Sequence, residues 1–495
     1  MTGHLTLPAV PQSGSPEFVA RYPQYATTVR LDELRATEYA HLDRGGVYLD
    51  YTGAGVPAAT QLAEHAARLT ATCYGNPHSQ NPTARTSDEL VASTRRAVLA
   101  HLNASPDDYT VIFTANATAA CRLVGEAYPF GRGRGLVLTF DNHNSVNGIR
   151  RFARRRGARA RYVPVSPGEL RVDERNLEAA LRRGGRHPAA LWRKGPGRRG
   201  LFAFPAQSNF TGVRHPLRWV DLAHDHGYDV LLDAAAYLPT GRLDLTAVPA
   251  DFVCVSWYKL FGYPTGLGCL VARRDALARL RRPWFAGGTI VAVSVRPDWH
   301  RLLEGESAFE DGTLNFLNIP DVEFGLSWLD GIGVDVIACR VNCLTGWLLH
   351  RMREMRHSNG SEMVRVYGPP DLRDRGATVA FNFLDPNGEL VDERLVAEET
   401  AAAGFSLRTG CFCNPGAGEG AFGIGRRRLR GSVGWGVRTV DEYLVLMGLT
   451  TGGAIRVSFG LASTFPDVER FLAFAEQTYR DRLPDTAGLP PRLVC

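Results

Sequence analysis

The chain has 495 residues, of which 44% are hydrophobic and 22% charged, with a formal net charge of +6. This is the balance of a globular protein of two or three domains with a large core, and the charge is too small to point to nucleic acid. The runs Arg154–Arg156 and Arg426–Arg428 have no interleaved aromatics and read as solvated faces, and no window approaches the roughly 18 uninterrupted apolar residues of a membrane span. Nine scattered cysteines, an odd number, without an N-terminal apolar leader, argue against a disulfide framework and for a reducing, cytoplasmic location.

Residues 1 to 45 mix proline, glycine and charge, and read as an N-terminal arm with a short helix packing against the smaller domain. Val47-Tyr48-Leu49-Asp50 is the first strand-like run. Further apolar runs at 111–113, 135–139, 201–204, 229–232, 252–256 and 267–271 alternate with helical stretches near 86–102, 117–127, 145–156, 174–183 and 216–227. The alternation predicts an α/β large domain over 46–315, with a mostly parallel sheet of the seven-stranded type covered on both faces. After Gly312-Thr313-Leu314-Asn315 the chain reads as helical to about 356, then as strands at 378–383 and 454–459 and a final helix from about 466. That pattern predicts a smaller α+β domain over 316–495, with the Gly- and Arg-rich stretch 414–437 as a mobile loop. No internal repeat is present.

Among 57 basic residues lysine occurs only twice, at Lys194 and Lys259. Arginine can replace lysine on a solvated surface but cannot form an imine, so a lysine retained in this background is a candidate for covalent chemistry. Lys194 lies in a loop-like basic run, whereas Lys259 follows the strand 252–256 and precedes Gly262, Gly266 and Gly268, on an expected tight strand-to-strand turn. Asp233 ends the run Val230-Leu231-Leu232, where a buried carboxylate needs a partner such as a protonated pyridine nitrogen.

Val111-Ile112-Phe113-Thr114-Ala115-Asn116-Ala117-Thr118 is a strand feeding a helix whose free N–H groups and Thr118 hydroxyl suit a phosphate. The glycine run 131–135 precedes a strand instead of following one and reads as a connector. His143, after the strand 135–139, could stack on a cofactor ring and move protons, and Gln207-Ser208-Asn209 offers an amide for a phenolate oxygen. Arg408 could take a substrate carboxylate. Cys411 and Cys413 supply only half of a tetrahedral metal site, so no metal is expected, and a catalytic thiol is the better reading.

Together these residues resemble the class V aminotransferase family of fold type I pyridoxal 5′-phosphate (PLP) enzymes, and within it the cysteine desulfurase-like domain of molybdenum cofactor sulfurases. The strings that carry the resemblance are Tyr74-Gly75-Asn76-Pro77-His78-Ser79, Asp141-Asn142-His143, Phe204-Pro205-Ala206-Gln207-Ser208-Asn209-Phe210, Tyr258-Lys259-Leu260-Phe261-Gly262, Asp311-Gly312-Thr313-Leu314-Asn315-Phe316 and Arg408-Thr409-Gly410-Cys411-Phe412-Cys413. The resemblance implies Lys259 as the Schiff base, Asp233 on the pyridine nitrogen, His143 on the ring and Asn209 near the phenolate. It implies Ala117, Thr118 and Ser256 on the phosphate, with Tyr258 beside them and Thr313 lent to a partner subunit, hence a homodimer. Arg408, with Asn76 and His78, would bind the substrate, and Cys413 would accept sulfur from L-cysteine as a persulfide while alanine leaves.

Typical desulfurases have a glutamine and a histidine where this chain has Ala236 and Tyr258, departures that favour the sulfurase-like branch. The chain ends at Cys495 without room for a further cofactor-receiving domain, so the expected acceptor is a separate protein or a small molecule. Two alternatives stay open: another PLP-dependent amino-acid enzyme, such as a C–S lyase, epimerase or aminotransferase-like enzyme, and a sulfur-carrier partner of low turnover.

Overall fold

The structure is a computed structural model and describes residues 14–44, 46–184, 199–425, 429, 439–449 and 451–492. Lys194, Arg426–Arg428 and Cys495 lie outside the described residues, as does most of 414–437 beyond residue 425.

The arm is held by aromatic packing and one arginine. Ser15 caps the helix Pro16–Arg21, and the fully buried Phe18 packs against Tyr25, Trp347 and Phe465. The buried guanidinium of Arg340 donates to both carboxylate oxygens of Asp32, to the carbonyl and hydroxyl of Thr28 and to the Tyr25 hydroxyl. The first strand, β1 (Val47–Tyr48), pairs in parallel with Phe405–Ser406, and Asp50 bridges to Ser458. Residues 47–50 therefore pair with the second half of the chain and not with the large sheet. Strand partners are chosen by register and burial, which a short apolar run does not reveal.

The main sheet comprises β2 (Tyr109–Thr114), β3 (Leu136–Thr139), β4 (Ala160–Val163), β5 (Gly200–Pro205), β6 (Tyr228–Asp233), β7 (Phe252–Ser256) and β8 (Gly268–Arg273), in the order β2-β8-β7-β6-β5-β3-β4. All neighbours are parallel except β8, which runs antiparallel to both β2 and β7. Its central strands are buried on both faces, which is why they read as continuous apolar runs instead of alternating ones. The mostly parallel α/β expectation holds.

Helix boundaries shift where capping chemistry intervenes. The helix read at 86–102 starts at Pro82, because Asn81 accepts from the Ala84 N–H and proline suits the first turn. The stretch 145–156 is two helices, Asn144–Asn147 and Ile149–Arg155, joined at Gly148. Helix Pro320–Ile332 stops at Gly333, with φ of 93°, before Val334–Glu354 continues at a bend of 69°. Among the described residues no single helix is long and apolar enough to cross a membrane.

An exposed hairpin, β9 (Ile290–Ser294) and β10 (Trp299–Leu302), follows the large sheet. The second sheet contains β11 (Val364–Tyr367), β12 (Thr378–Phe383), β14 (Arg408–Gly410) and β15 (Ala454–Ser458), in the antiparallel order β11-β12-β15-β14, while β13 is the Phe405–Ser406 partner of β1. The expected loop after residue 414 instead begins with a helix, Pro415–Ala421, capped by the side chain of Asn414. Asparagine before proline is a helix start, which the glycine content of 416–420 masked.

Candidate active site

The parallel strands deliver polar residues at their carboxyl ends, where ligands of open α/β sheets bind. Strand β7 ends in Ser256 and passes into a short helix, Trp257–Phe261, that carries Lys259. The expected tight turn is thus a helix followed by Gly262, whose φ is 78° and where a Cβ would sit 2.2 Å from the Pro57 nitrogen. Only glycine allows that approach.

Lys259 opens on a cavity of about 90 Å³ whose wall includes Asp233, His143 and Asn209 on one side and Ala117, Thr118, Ser256 and Tyr258 on the other. Eight of the expected residues, from five strand ends, therefore converge. Burial pushes the Lys259 ammonium below its ordinary pKa; Asp233 and Asp50 oppose that shift, and Arg456 and Arg408 reinforce it. An amine held this way has the larger neutral fraction that imine formation needs.

Asp233 is half-buried, not buried as the sequence suggested, and its Oδ1 accepts from the Ala235 N–H at 3.1 Å. Among the described residues nothing donates to its Oδ2. His143 caps the helix Asn144–Asn147, its Nδ1 accepting from the Ser145 N–H at 3.1 Å. Burial lowers its pKa, Asp233 opposes and Lys259 and Arg456 add to the lowering, which favours the neutral imidazole. A phosphate would find its cradle at the start of helix Ala117–Ala127, where Thr118 Oγ1 lies 2.7 Å from Ser145 Oγ, and a Cβ at Gly268 would sit 2.7 Å from the Asn116 carbonyl carbon. These features fit PLP: a small-residue cradle at a helix N-terminus for the phosphate, a carboxylate oxygen left open for the ring nitrogen and a desolvated lysine for the aldehyde.

The loop of Cys413 docks on this cavity. The Asn144 N–H donates to the Cys413 carbonyl at 2.7 Å, and Asn209 Nδ2 donates to the Phe412 carbonyl at 2.8 Å. Asn414 Nδ2 donates to Asn209 Oδ1 and to the Asp141 carbonyl. Phe412 and Cys413 both adopt φ of 53°, and Cys413 is exposed as a free thiol. Arg408 stands on β14 with its side chain half-exposed and both Nε and Nη2 on Asp50 Oδ2.

Three expected residues lie elsewhere. Asn76 and His78 are exposed outside this cavity, and His78 has φ of 73°. Thr313 is also exposed and lines a separate cavity with Thr114, Gly266 and Trp284, so it does not serve the Lys259 site of its own chain. Sequence reasoning missed Asp50, Arg456 and Ser145. Asp50 and Arg456 could have been noticed, since one ends an apolar run as Asp233 does and the other is a charge inside an apolar strand.

A seven-stranded, mostly parallel sheet with a helix-borne lysine facing a strand-end aspartate defines the fold type I class of PLP-dependent enzymes. The chain belongs to the aminotransferase class-V family, whose sequence pattern matches residues 47–471. It is 36% identical over 471 residues to a molybdenum cofactor sulfurase of Arabidopsis thaliana and 35% identical over 470 residues to that of Homo sapiens, 90% of this chain in each case. Those alignments span 57% and 51% of the relatives' own lengths. Among solved structures it resembles an apo cysteine desulfurase from Thermococcus onnurineus, with a TM-score of 0.73, 22% identity and coverage of 90% of this chain and 97% of that one. The cysteine desulfurase CsdA of Escherichia coli gives 0.70 and 21%, covering 90% and 98%.

Proposed function

We propose that this chain is a PLP-dependent cysteine desulfurase-like enzyme that takes sulfur from L-cysteine onto Cys413 and passes it to a separate acceptor protein or small molecule. The observation that carries the reading is the docking of the Cys413 loop on the wall of the Lys259 cavity, through Asn144 and Asn209. A thiol-bearing loop whose backbone is tied to the wall of the cofactor cavity suits sulfur transfer better than chemistry in which the thiol is a bystander. The similarity to molybdenum cofactor sulfurases and the cysteine desulfurase fold support the same reading.

When bound, PLP withdraws electrons from the amino acid and weakens its bonds at Cα and Cβ. Lys259 holds the cofactor and, once released, is placed to carry a proton at the substrate's α-carbon. Asp233 would keep the ring nitrogen protonated. His143, anchored through Nδ1 and favoured in its neutral form, would lie against the ring and could exchange a proton through Nε2. Arg408 receives the substrate carboxylate on its exposed side while Asp50 fixes the other. The Cys413 thiolate attacks the substrate sulfur, so that an S–S bond forms as the C–S bond breaks; the bond's electron pair stays on carbon, which takes a proton and leaves as alanine.

The partner-dependent part is a homodimer in which Thr313 of each chain completes the other's phosphate site. It is supported by the exposure of Thr313 away from Lys259 and by the apolar hairpin next to it, where Val291, Val293, Val295 and Trp299 face outward. Cys73 and Cys413 are exposed free thiols, whereas Cys411 is disulfide-bonded.

The test is incubation of the PLP-loaded protein with L-cysteine, measuring alanine and the mass of the Cys413 peptide. A gain of one sulfur on that peptide with stoichiometric alanine is expected. Alanine or pyruvate formed at the wild-type rate by Cys413→Ala would instead assign the chain to C–S lyase or related chemistry.

A further inference from the structure

The cavity beside Lys259 needs a donor for the ring oxygen of PLP, since a phenolate left unpaired in a desolvated pocket is costly. Asn209 lines the cavity too, but its amide is half spent: one of its two Nδ2 N–H groups donates to the Phe412 carbonyl and its Oδ1 accepts from Asn414, which leaves a single N–H for the cavity.

Gln207, two residues earlier and buried, lines the same cavity together with Lys259, Asp233 and Ala236. It also lines the adjoining cavity on the far side of Lys259, which Tyr258 does not reach. Arg214 Nε donates to Gln207 Oε1 at 2.9 Å. A guanidinium has no acceptor, so this contact fixes the amide's orientation: oxygen towards Arg214, NH2 away from it. Among the described residues no group accepts from Gln207 Nε2.

Arg214 is itself unusual. Its remaining contacts are to the carbonyl and hydroxyl of Thr240 and to the face of the Tyr237 ring, and it forms no ion pair among the described residues. Its positive charge therefore polarises the Gln207 amide without being cancelled by a carboxylate.

We infer that Gln207, oriented by Arg214, is the principal hydrogen-bond donor to the ring oxygen of bound PLP, while Asn209 spends its carbonyl and one N–H on anchoring the Cys413 loop. This assignment rests on the PLP reading of the Lys259 site. It also accounts for Ala236, which leaves open the wall that Gln207 faces.

The test uses the full chain loaded with PLP. Borohydride reduction and peptide mass first locate the cofactor, and its absorption is then titrated with pH in wild type, Gln207→Leu and Asn209→Ala. The charged groups around the site, Asp233, His143, Lys259, Arg456, Arg408 and Asp50, are the same in all three. Loss of a donor from the ring oxygen leaves more negative charge on it, which holds the neighbouring imine proton more tightly. Gln207→Leu should therefore raise the midpoint by about one pH unit, a tenfold change in proton affinity, and by more than Asn209→Ala does.

If Gln207→Leu yields no folded protein, Gln207→Glu keeps the shape and should shift the midpoint in the same direction. An unchanged midpoint in both Gln207 variants, or a shift confined to Asn209→Ala, overturns the assignment. Absence of label from Lys259 in the wild type overturns the PLP reading and this assignment with it; label on Lys259 with an unmoved midpoint overturns this assignment alone.

Discussion

Arg408 places both Nε and Nη2 on a single oxygen of Asp50, at 3.1 and 3.0 Å. The other oxygen of Asp50 takes Nη2 of Arg456 at 2.7 Å, and Arg456 is buried while Arg408 is half-exposed. One carboxylate thus orients the half-exposed arginine and neutralises the buried one.

Arg408→Lys should keep the cofactor absorption and lose substrate affinity, because an ammonium cannot offer a second parallel donor. A charged hydrogen bond contributes about 1.5 to 3 kcal/mol, so kcat/KM for L-cysteine should fall roughly ten- to hundredfold, mostly through KM. Asp50→Asn should also lower the thermal midpoint, since it removes the counter-charge of Arg456 at a cost of roughly 3 kcal/mol.

Asn414→Ala removes two donated hydrogen bonds, to Asp141 and Asn209, and the cap that accepts from the Ala417 N–H. The Cys413 loop should loosen while the Lys259 site stays intact. Steady-state kinetics should show kcat falling about tenfold or more at unchanged PLP affinity. A fall in PLP affinity of the same size would place Asn414 in the cofactor site instead.

Cofactor attachment should depend on pH through the Lys259 amine. Burial holds this amine below its ordinary range, so the rate of PLP attachment to the cofactor-free protein should rise with pH and level off with a midpoint below the ordinary lysine value of 10.5. Asp233 acts in the opposite direction by stabilising the ammonium, so Asp233→Asn should move that midpoint lower still. Stopped-flow absorbance over a pH series checks both signs; a higher midpoint in Asp233→Asn would contradict a stabilising role of the Asp233 charge towards the ammonium.

Arg340 ties the N-terminal arm to helix Val334–Glu354 with its side chain wholly buried. Arg340→Ala leaves Asp32 without its partner and opens a void beside Tyr25. A loss of about 3 to 5 kcal/mol in denaturant unfolding is expected. A change below about 1 kcal/mol would mean that the aromatic packing of Phe18 anchors the arm alone.

By itself the sequence determined the alternation of strands and helices, because apolar runs and their punctuation are local properties. It also marked Lys259, Asp233, His143, Thr118 and Ser256, because in a parallel sheet the ligand site collects whatever stands where strands stop. It also suggested Arg408 for a carboxylate and a thiol at Cys411 or Cys413, and the resemblance singled out Cys413.

Only the tertiary structure decided which groups are free to act. Asp50 and Arg408 are 358 residues apart in the chain, and Asn209 and Phe412 are 203 apart. No spacing rule relates them, because such partners are chosen by how one sheet packs beside another. The same packing drew β1 to Phe405–Ser406 and tied one N–H of Asn209 to the Cys413 loop, while among the described residues both N–H groups of Gln207 stay open. Residue type sets what a side chain can donate or accept, but whether that capacity is already spent depends on neighbours that only the folded chain supplies.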